Sequence, residues 1–398
     1  MKRIALVGGA GLMGRATARD LVGSGFAVTI ADIDLDGARQ MAATLGPDAA
    51  AVRADASDVA SLLTAFQGAD AVVNVSQYYF NLPVMEACLE ARLSYCDLGG
   101  LYHTTLKQLA MGERFADRGL LAILGIGSAV GLTNVMGAYI ADRLATIDHL
   151  RCYDAYAPAE EGLSWAYSLE TIFDEIMSRP MVWRDGRMLE LDPLSEPERF
   201  FFDHGIGDRL VHHTLHSEVA TLPFSWPEKR VGEVYFKIAS FGYTPEALER
   251  LKVFADVGLA DREGIEVRST SGQVVAVRPR ELLARVLARW REARPPAEAP
   301  PDDVEEVVTV GTGRDAAGRP LTYRVGTAAW HHARWGLDAG TILTGVPPSI
   351  AGQWLAEGRL ERRGAVGPEL ALPAEAFLLE LAKRGTRTTV QVTENLAG

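Results

Sequence analysis

Gly9, Gly11 and Gly14 stand at the spacing G-x-G-x-x-G, and one carboxylate, Asp32, follows at a distance that suits the same ligand. Gly9 allows a tight turn, Gly11 lets the backbone approach a pyrophosphate, and Gly14 lets a helix pack closely on a strand. Leu12 and Met13 would offer amides at the positive end of that helix. Asp32 would accept hydrogen bonds from the adenosine ribose and repel a 2′-phosphate, so NAD is expected rather than NADP. These residues mean something only in context, and the context is present. Ile4-Ala5-Leu6-Val7 reads as a strand before the turn, 15–22 as a helix, and 26–32 as a second strand ending on the acid.

Further along, Asp55 could touch the adenine edge, although a helix N-cap is an equal alternative. Asn74 and Ser76 end an apolar fourth strand, 71–75, where the nicotinamide ribose would lie, and Gly99 follows another strand end. Candidate acid/base groups are Asp97, which could instead cap a turn, and His103 in the loop after it. Four of the eight histidines, His204, His212, His213 and His216, crowd into one stretch. Adjacent His212 and His213 would face opposite sides of a strand, so a polar substrate pocket is expected and no metal site. His213 for substrate contact and Glu218 as an ammonium or proton partner are the leading choices there, with Thr214 beside them. Trp165, Tyr167 and Tyr78 could wall the pocket.

At 398 residues, two domains are expected: an N-terminal α/β Rossmann domain over 1–130, with a C-terminal return over about 341–398, and a substrate-binding and dimerisation domain over 131–340. The first should be a doubly wound parallel sheet. The second should be α+β with a mostly antiparallel open sheet, because the pattern changes near Asp148 and hairpin signals appear at Asp185-Gly186, Ser271-Gly272 and Ala317-Gly318. A net charge of −12 argues against nucleic acid and anionic membranes. The absence of a long apolar run and three cysteines without ligand spacing lead us to expect a cytoplasmic protein.

Several runs carry a resemblance: Asp70-Ala71-Val72-Val73-Asn74, Ala87-Cys88-Leu89-Glu90-Ala91, Tyr95-Cys96-Asp97-Leu98-Gly99-Gly100, and Gly127-x-x-x-Gly131-x-x-Asn134. Together they resemble the saccharopine dehydrogenase family. Segments such as Tyr167-Ser168-Leu169-Glu170, His213-Thr214 and Arg363-Gly364-Ala365-Val366 resemble its lysine 6-dehydrogenase branch. That resemblance implies NAD-dependent oxidation of the primary amine of an amino acid to an imine, which yields an aldehyde and ammonia, by a homodimer. A base must free the amine of its proton, and an Arg clamp would suit the carboxylate end. The alternative is reductive condensation of an amine with a carbonyl compound, as in saccharopine or carboxynorspermidine dehydrogenases. Such a pocket must hold two carboxylates and should show a second Arg or Lys. A third reading is a non-catalytic NAD(H) sensor, suggested by Leu215-His216-Ser217-Glu218, where relatives carry small residues. Val130 in place of Pro and Gly125 in place of Asp are further departures.

Overall fold

A computed structural model describes residues 1–157, 169–239, 245–293 and 302–394. The expected substrate residues Trp165 and Tyr167 lie outside the described residues.

The first layer is a seven-stranded parallel sheet. Its first strand, Arg3–Val7, runs between Ala27–Asp32 and Ala71–Asn74, and the order reverses there. Ala49–Arg53 closes one edge, while Ser94–Asp97 and Leu121–Ile123 extend the other. Its central strands are apolar and fully buried, as helices on both faces require. The seventh strand, Gly364–Val366, arrives from the far end of the chain and pairs with Leu121–Ile123.

The C-terminal return is carried by the helix Ala339–Ala356, almost wholly buried. Its glycines permit close approach: a Cβ at Gly345 would sit 2.8 Å from Ala16 Cβ, and one at Gly352 would sit 2.4 Å from Val73. The helix begins at an Asp338 N-cap that accepts from the Thr341 amide, so Pro347 and Pro348 fall inside it. The return is shorter than expected. The last strand, Arg387–Glu394, pairs antiparallel with Pro320–Trp330 and belongs to the second sheet.

That second sheet has nine strands, all paired antiparallel except Glu233–Ile238 on Thr146–Ala157. All three hairpin signals are realised as turns between paired strands. The Asp185-Gly186 turn uses φ of 51° and 77°, which Asp and Gly tolerate best. Between Glu233–Ile238 and Val304–Arg314 the chain makes an excursion of two helices, Pro245–Asp256 and Pro279–Glu292, around the hairpin Ile265–Arg268 and Val274–Val277. The excursion packs on the helix Leu169–Met177, burying Leu248, Leu251, Leu283 and Leu287.

Candidate active site

The C-terminal ends of the parallel strands open into a cavity of about 440 Å³, walled on the far side by the second sheet. Ligands bind at such a switch point in doubly wound folds.

At one end lies the glycine turn. Gly8 has φ of 77°, and a Cβ there would meet Ser76 Cα at 2.8 Å. A Cβ on Gly14 would sit 2.5 Å from the Gly9 carbonyl oxygen, and one on Gly9 would press on Ile30 at 2.9 Å. Gly11 caps the helix Leu12–Gly23 with no side-chain hydrogen bond to its N-terminal amides, as a phosphate-binding helix start requires. Gly11, Leu12, Met13, Asp32, Ser76, Tyr78 and Gly99 all line the cavity, while Gly9 and Gly14 shape the turn behind it. The Asp32 carboxylate is held by the Ala10 amide at 3.0 Å and the Asp34 amide at 3.0 Å. This cradle, free of Cβ atoms where phosphates approach, fits a dinucleotide.

Three expected contacts are placed elsewhere. Asp55 folds onto Ser57, accepting from its amide at 2.9 Å and its hydroxyl at 2.6 Å, and the next helix is capped by Asp58. Asn74 is fully buried: it donates to Asn81 and Tyr95 and accepts from the Ser76 amide and hydroxyl. Asp97 is fully buried too and accepts four hydrogen bonds, from Tyr95, Gln108 and the amides of Gly99 and Gly125. Burial pushes its carboxyl up, and those four donors pull it down. Asn74 and Asp97 thus hold the strand-end loops in place and do not face the cavity. Val130 wedges against both loops: its Cγ1 occupies the space that a Cβ on Gly99 or Gly125 would need. Gly125 is therefore matched to Val130.

The other end of the cavity is acidic. Asp154 and Tyr156 alternate on Thr146–Ala157, Glu305 pairs opposite Tyr156 across the sheet, and Glu175 projects from Leu169–Met177. These residues share the cavity with His216. No Arg or Lys lines the cavity among the described residues, so the second basic residue expected of a pocket for two carboxylates is not found there. His216 stacks on Phe236 at 3.8 Å, with Nδ1 3.1 Å from Glu218 and Nε2 3.7 Å from Glu175. Burial alone would lower this imidazole, but Glu218 and Glu175 overcome it and lift it to about 10, so it is a cation at neutral pH. Glu218 also accepts from Thr133 at 2.9 Å, is fully buried, and lies behind His216. Burial, with Glu175 and Glu218 adding repulsion and His216 opposing, raises Asp154 to about 7. Burial and the nearby Asp154 raise Glu305 well above its usual range.

The remaining candidates fall outside. His103 is exposed on the helix Leu101–Leu109 and does not line the cavity. His213 is buried on the opposite side of its strand end, with Nδ1 on the Phe236 carbonyl and Nε2 3.4 Å from Glu196. Burial lowers it to about 4, so it is neutral. Thr214 is buried and does not reach the cavity. Of the crowded histidines only His216 faces the cavity. Among the described residues, no three His, Cys, Asp or Glu side chains are grouped to hold a metal, and no helix is long and apolar enough to cross a membrane.

Comparison with known proteins decides the family. Residues 4–123 match the saccharopine dehydrogenase NADP binding domain, and residues 127–386 match the saccharopine dehydrogenase C-terminal domain. The chain belongs to the saccharopine dehydrogenase family. It is a pyridine-nucleotide-dependent oxidoreductase acting on carbon–nitrogen bonds. The apo, histidine-tagged saccharopine dehydrogenase (L-Glu forming) of Saccharomyces cerevisiae superposes with a TM-score of 0.71 over 99% of this chain and all of that one, at 15% identity, which establishes the shared fold. The carboxyaminopropylagmatine dehydrogenase of Synechocystis sp. is 27% identical over 343 residues, covering 83% of this chain and 81% of that protein. The carboxynorspermidine synthase of Vibrio alginolyticus is 28% identical over 227 residues, 53% of this chain and 52% of its own length. These names back the alternative of reductive condensation better than the expected likeness to lysine 6-dehydrogenase.

The residues that sequence reading missed are Asp154, Glu175 and Glu305. A signal existed for the first: Asp154 and Tyr156 are polar residues alternating with buried ones near the end of the strand.

Proposed function

We propose that this protein catalyses the reductive condensation of a di- or polyamine with a carbonyl compound, forming a secondary amine, using NADH in preference to NADPH. The observation that carries the reading is the acidic end of the cavity. Asp154, Glu175 and Glu305 line it together with His216, the one cation there, and no Arg or Lys joins them among the described residues. The basic groups expected for the carboxylates of an amino acid, or for the two carboxylates of a condensing pocket, are not on this wall among the described residues; it offers carboxylates instead, which an amine with a second positive charge needs. The relatives named for carboxylated polyamine products support the same reading.

Gly11, Leu12, Met13, Ser76 and Gly99 would hold the dinucleotide, with Asp32 on the adenosine ribose. Asp32 is the ground for preferring NADH, since a carboxylate there repels a 2′-phosphate. When bound, the reduced nicotinamide supplies the hydride that saturates the carbon–nitrogen double bond. The chain's own groups manage protons. The ammonium must lose a proton before its nitrogen attacks the carbonyl carbon, and the resulting hydroxyl must gain one to leave as water. Asp154, titrating at about 7, is suited to take the first proton and return the second. Glu218 orients His216, whose charge keeps Asp154 from rising further. Glu175 and Glu305 seat the distal positive charge. Assembly as a homodimer belongs to the same proposal. It is supported by the edge strand Arg387–Glu394, which leaves Val390 and Val392 exposed.

The test is NADH oxidation followed by absorbance, with diamines paired against aldehyde or keto acids, beside lysine with NAD. Turnover should need both an amine and a carbonyl partner. NADH formation from lysine alone would replace this proposal with oxidative deamination.

A further inference from the structure

Asp174 sits one residue before Glu175 on the helix Leu169–Met177 and gathers three partners from two other regions. Tyr78, on the loop that follows the fourth strand of the dinucleotide domain, donates its hydroxyl to Asp174 Oδ2 at 2.9 Å. Arg262 Nη2 reaches the same oxygen at 2.6 Å, and Arg280 Nη1 reaches Oδ1 at 2.5 Å. Both arginines belong to the excursion over 245–293. Arg280 is only 6% exposed and is fixed further by its Nε on the Ala260 carbonyl. A second bridge runs parallel, since Thr171 donates to Gln77 Oε1 at 3.4 Å. Gln77 and Tyr78 line the cavity from the dinucleotide side, and Thr171 and Glu175 line it from the other.

We infer that Asp174 is a positioning residue: it ties the excursion and the dinucleotide domain to one helix, and thereby sets how far Glu175 stands from the cofactor end. The excursion belongs to neither main sheet, so this link gives it a role at the site that its place in the chain does not suggest. The carboxylate's cationic partners are Arg262 and Arg280. With both charges and a phenol on one partly buried carboxylate, the helix has a single well-defined seat, and cutting one arm loosens it without emptying the cavity. The inference rests on the amine-binding role proposed for Glu175.

The experiment compares Tyr78→Phe, Arg262→Met, Asp174→Asn and the Tyr78→Phe/Asp174→Asn double variant. Amine KM, kcat, melting temperature and NADH dissociation constant are measured for each. Tyr78→Phe should raise the amine KM about 3- to 10-fold, with a smaller fall in kcat and an unchanged melting temperature. Arg262→Met, outside the cavity, should move KM the same way by less. Asp174→Asn strands buried Arg280, so it should lower the melting temperature as well as raising KM. The double variant should lose less in KM than the two single losses combined, because both changes act on the same contact, which the Asn side chain weakens but can still accept. An unchanged KM in Tyr78→Phe, or additive losses in the double variant, would overturn the inference. If no amine and carbonyl pair turns over in the unaltered protein, the proposed function falls. The link is then read from NADH affinity: Tyr78→Phe and Asp174→Asn must weaken it together, and an effect of only one overturns the inference.

Discussion

The two ends of the cavity are built on opposite principles. At the dinucleotide end the work is done by missing atoms: Gly8, Gly9 and Gly14 stand where a Cβ would collide, and the backbone itself is the binding surface. At the other end it is done by charge: Asp154, Glu175 and Glu305 share the wall with one imidazolium, and burial raises the first and the third so that they do not all ionise. A backbone cradle is general for phosphates, whereas a half-ionised acidic cluster discriminates. An arriving cation lets its carboxylates ionise, while an arriving carboxylate finds only His216, already engaged by Glu218 and Glu175.

The contrast can be broken most severely at Asp154. Asp154→Asn should cost on the order of 10²- to 10⁴-fold in kcat/KM, measured by NADH oxidation with the best amine and carbonyl pair. The pH profile gives the sign. Asp154 accepts a proton only as the carboxylate, so kcat/KM in the native protein should rise through about pH 7 and fall above about pH 10 as His216 loses its charge. In Asp154→Asn the rise through 7 should vanish, and its persistence would assign the base elsewhere. Next in size, Gly14→Val drives a side chain into the Gly9 carbonyl and should weaken NADH binding about 100-fold, read by nucleotide fluorescence. At the acidic end, Glu175→Gln should raise the diamine KM about tenfold and leave NADH affinity within twofold. Equal losses in both would mean that the two ends are not separate. Asp32→Arg should turn the preference from NADH toward NADPH by about tenfold, and an unchanged ratio would refute the ribose placement. The smallest catalytic effect is expected at Asn74→Ala. It opens a buried network and should cost about 1–3 kcal/mol of stability in chemical denaturation, with NADH affinity less affected.

The same contrast explains what could be read from the chain. A glycine turn is a local device, and its strand, helix and acid follow within thirty residues, so Gly9, Gly11, Gly14 and Asp32 were legible at once. The hairpins at Asp185-Gly186, Ser271-Gly272 and Ala317-Gly318 were legible for the same reason. The acidic end is assembled by pairing Thr146–Ala157 with Val304–Arg314, strands some 150 residues apart, and by a helix between them. No local pattern brings Glu305 opposite Tyr156. Asn74 and Asp97 were conspicuous polar residues at strand ends, yet burial and a full set of partners turn them inward. Among the histidines, strand alternation separates His212 from His213 as expected, but the strand Gly207–His213 ends before His216, which enters the cavity from the turn leading into Glu218–Ser225.

The central claim, that this cavity receives a positively charged amine, is tested most directly by calorimetric titration of a diamine into the NADH-loaded protein at pH 7. The titration is run in two buffers of different ionisation enthalpy. The account predicts binding accompanied by proton release to the buffer, as the incoming cation drives Asp154 into its carboxylate form, with lysine binding more weakly. Tighter binding of lysine, or diamine binding with proton uptake, would contradict it.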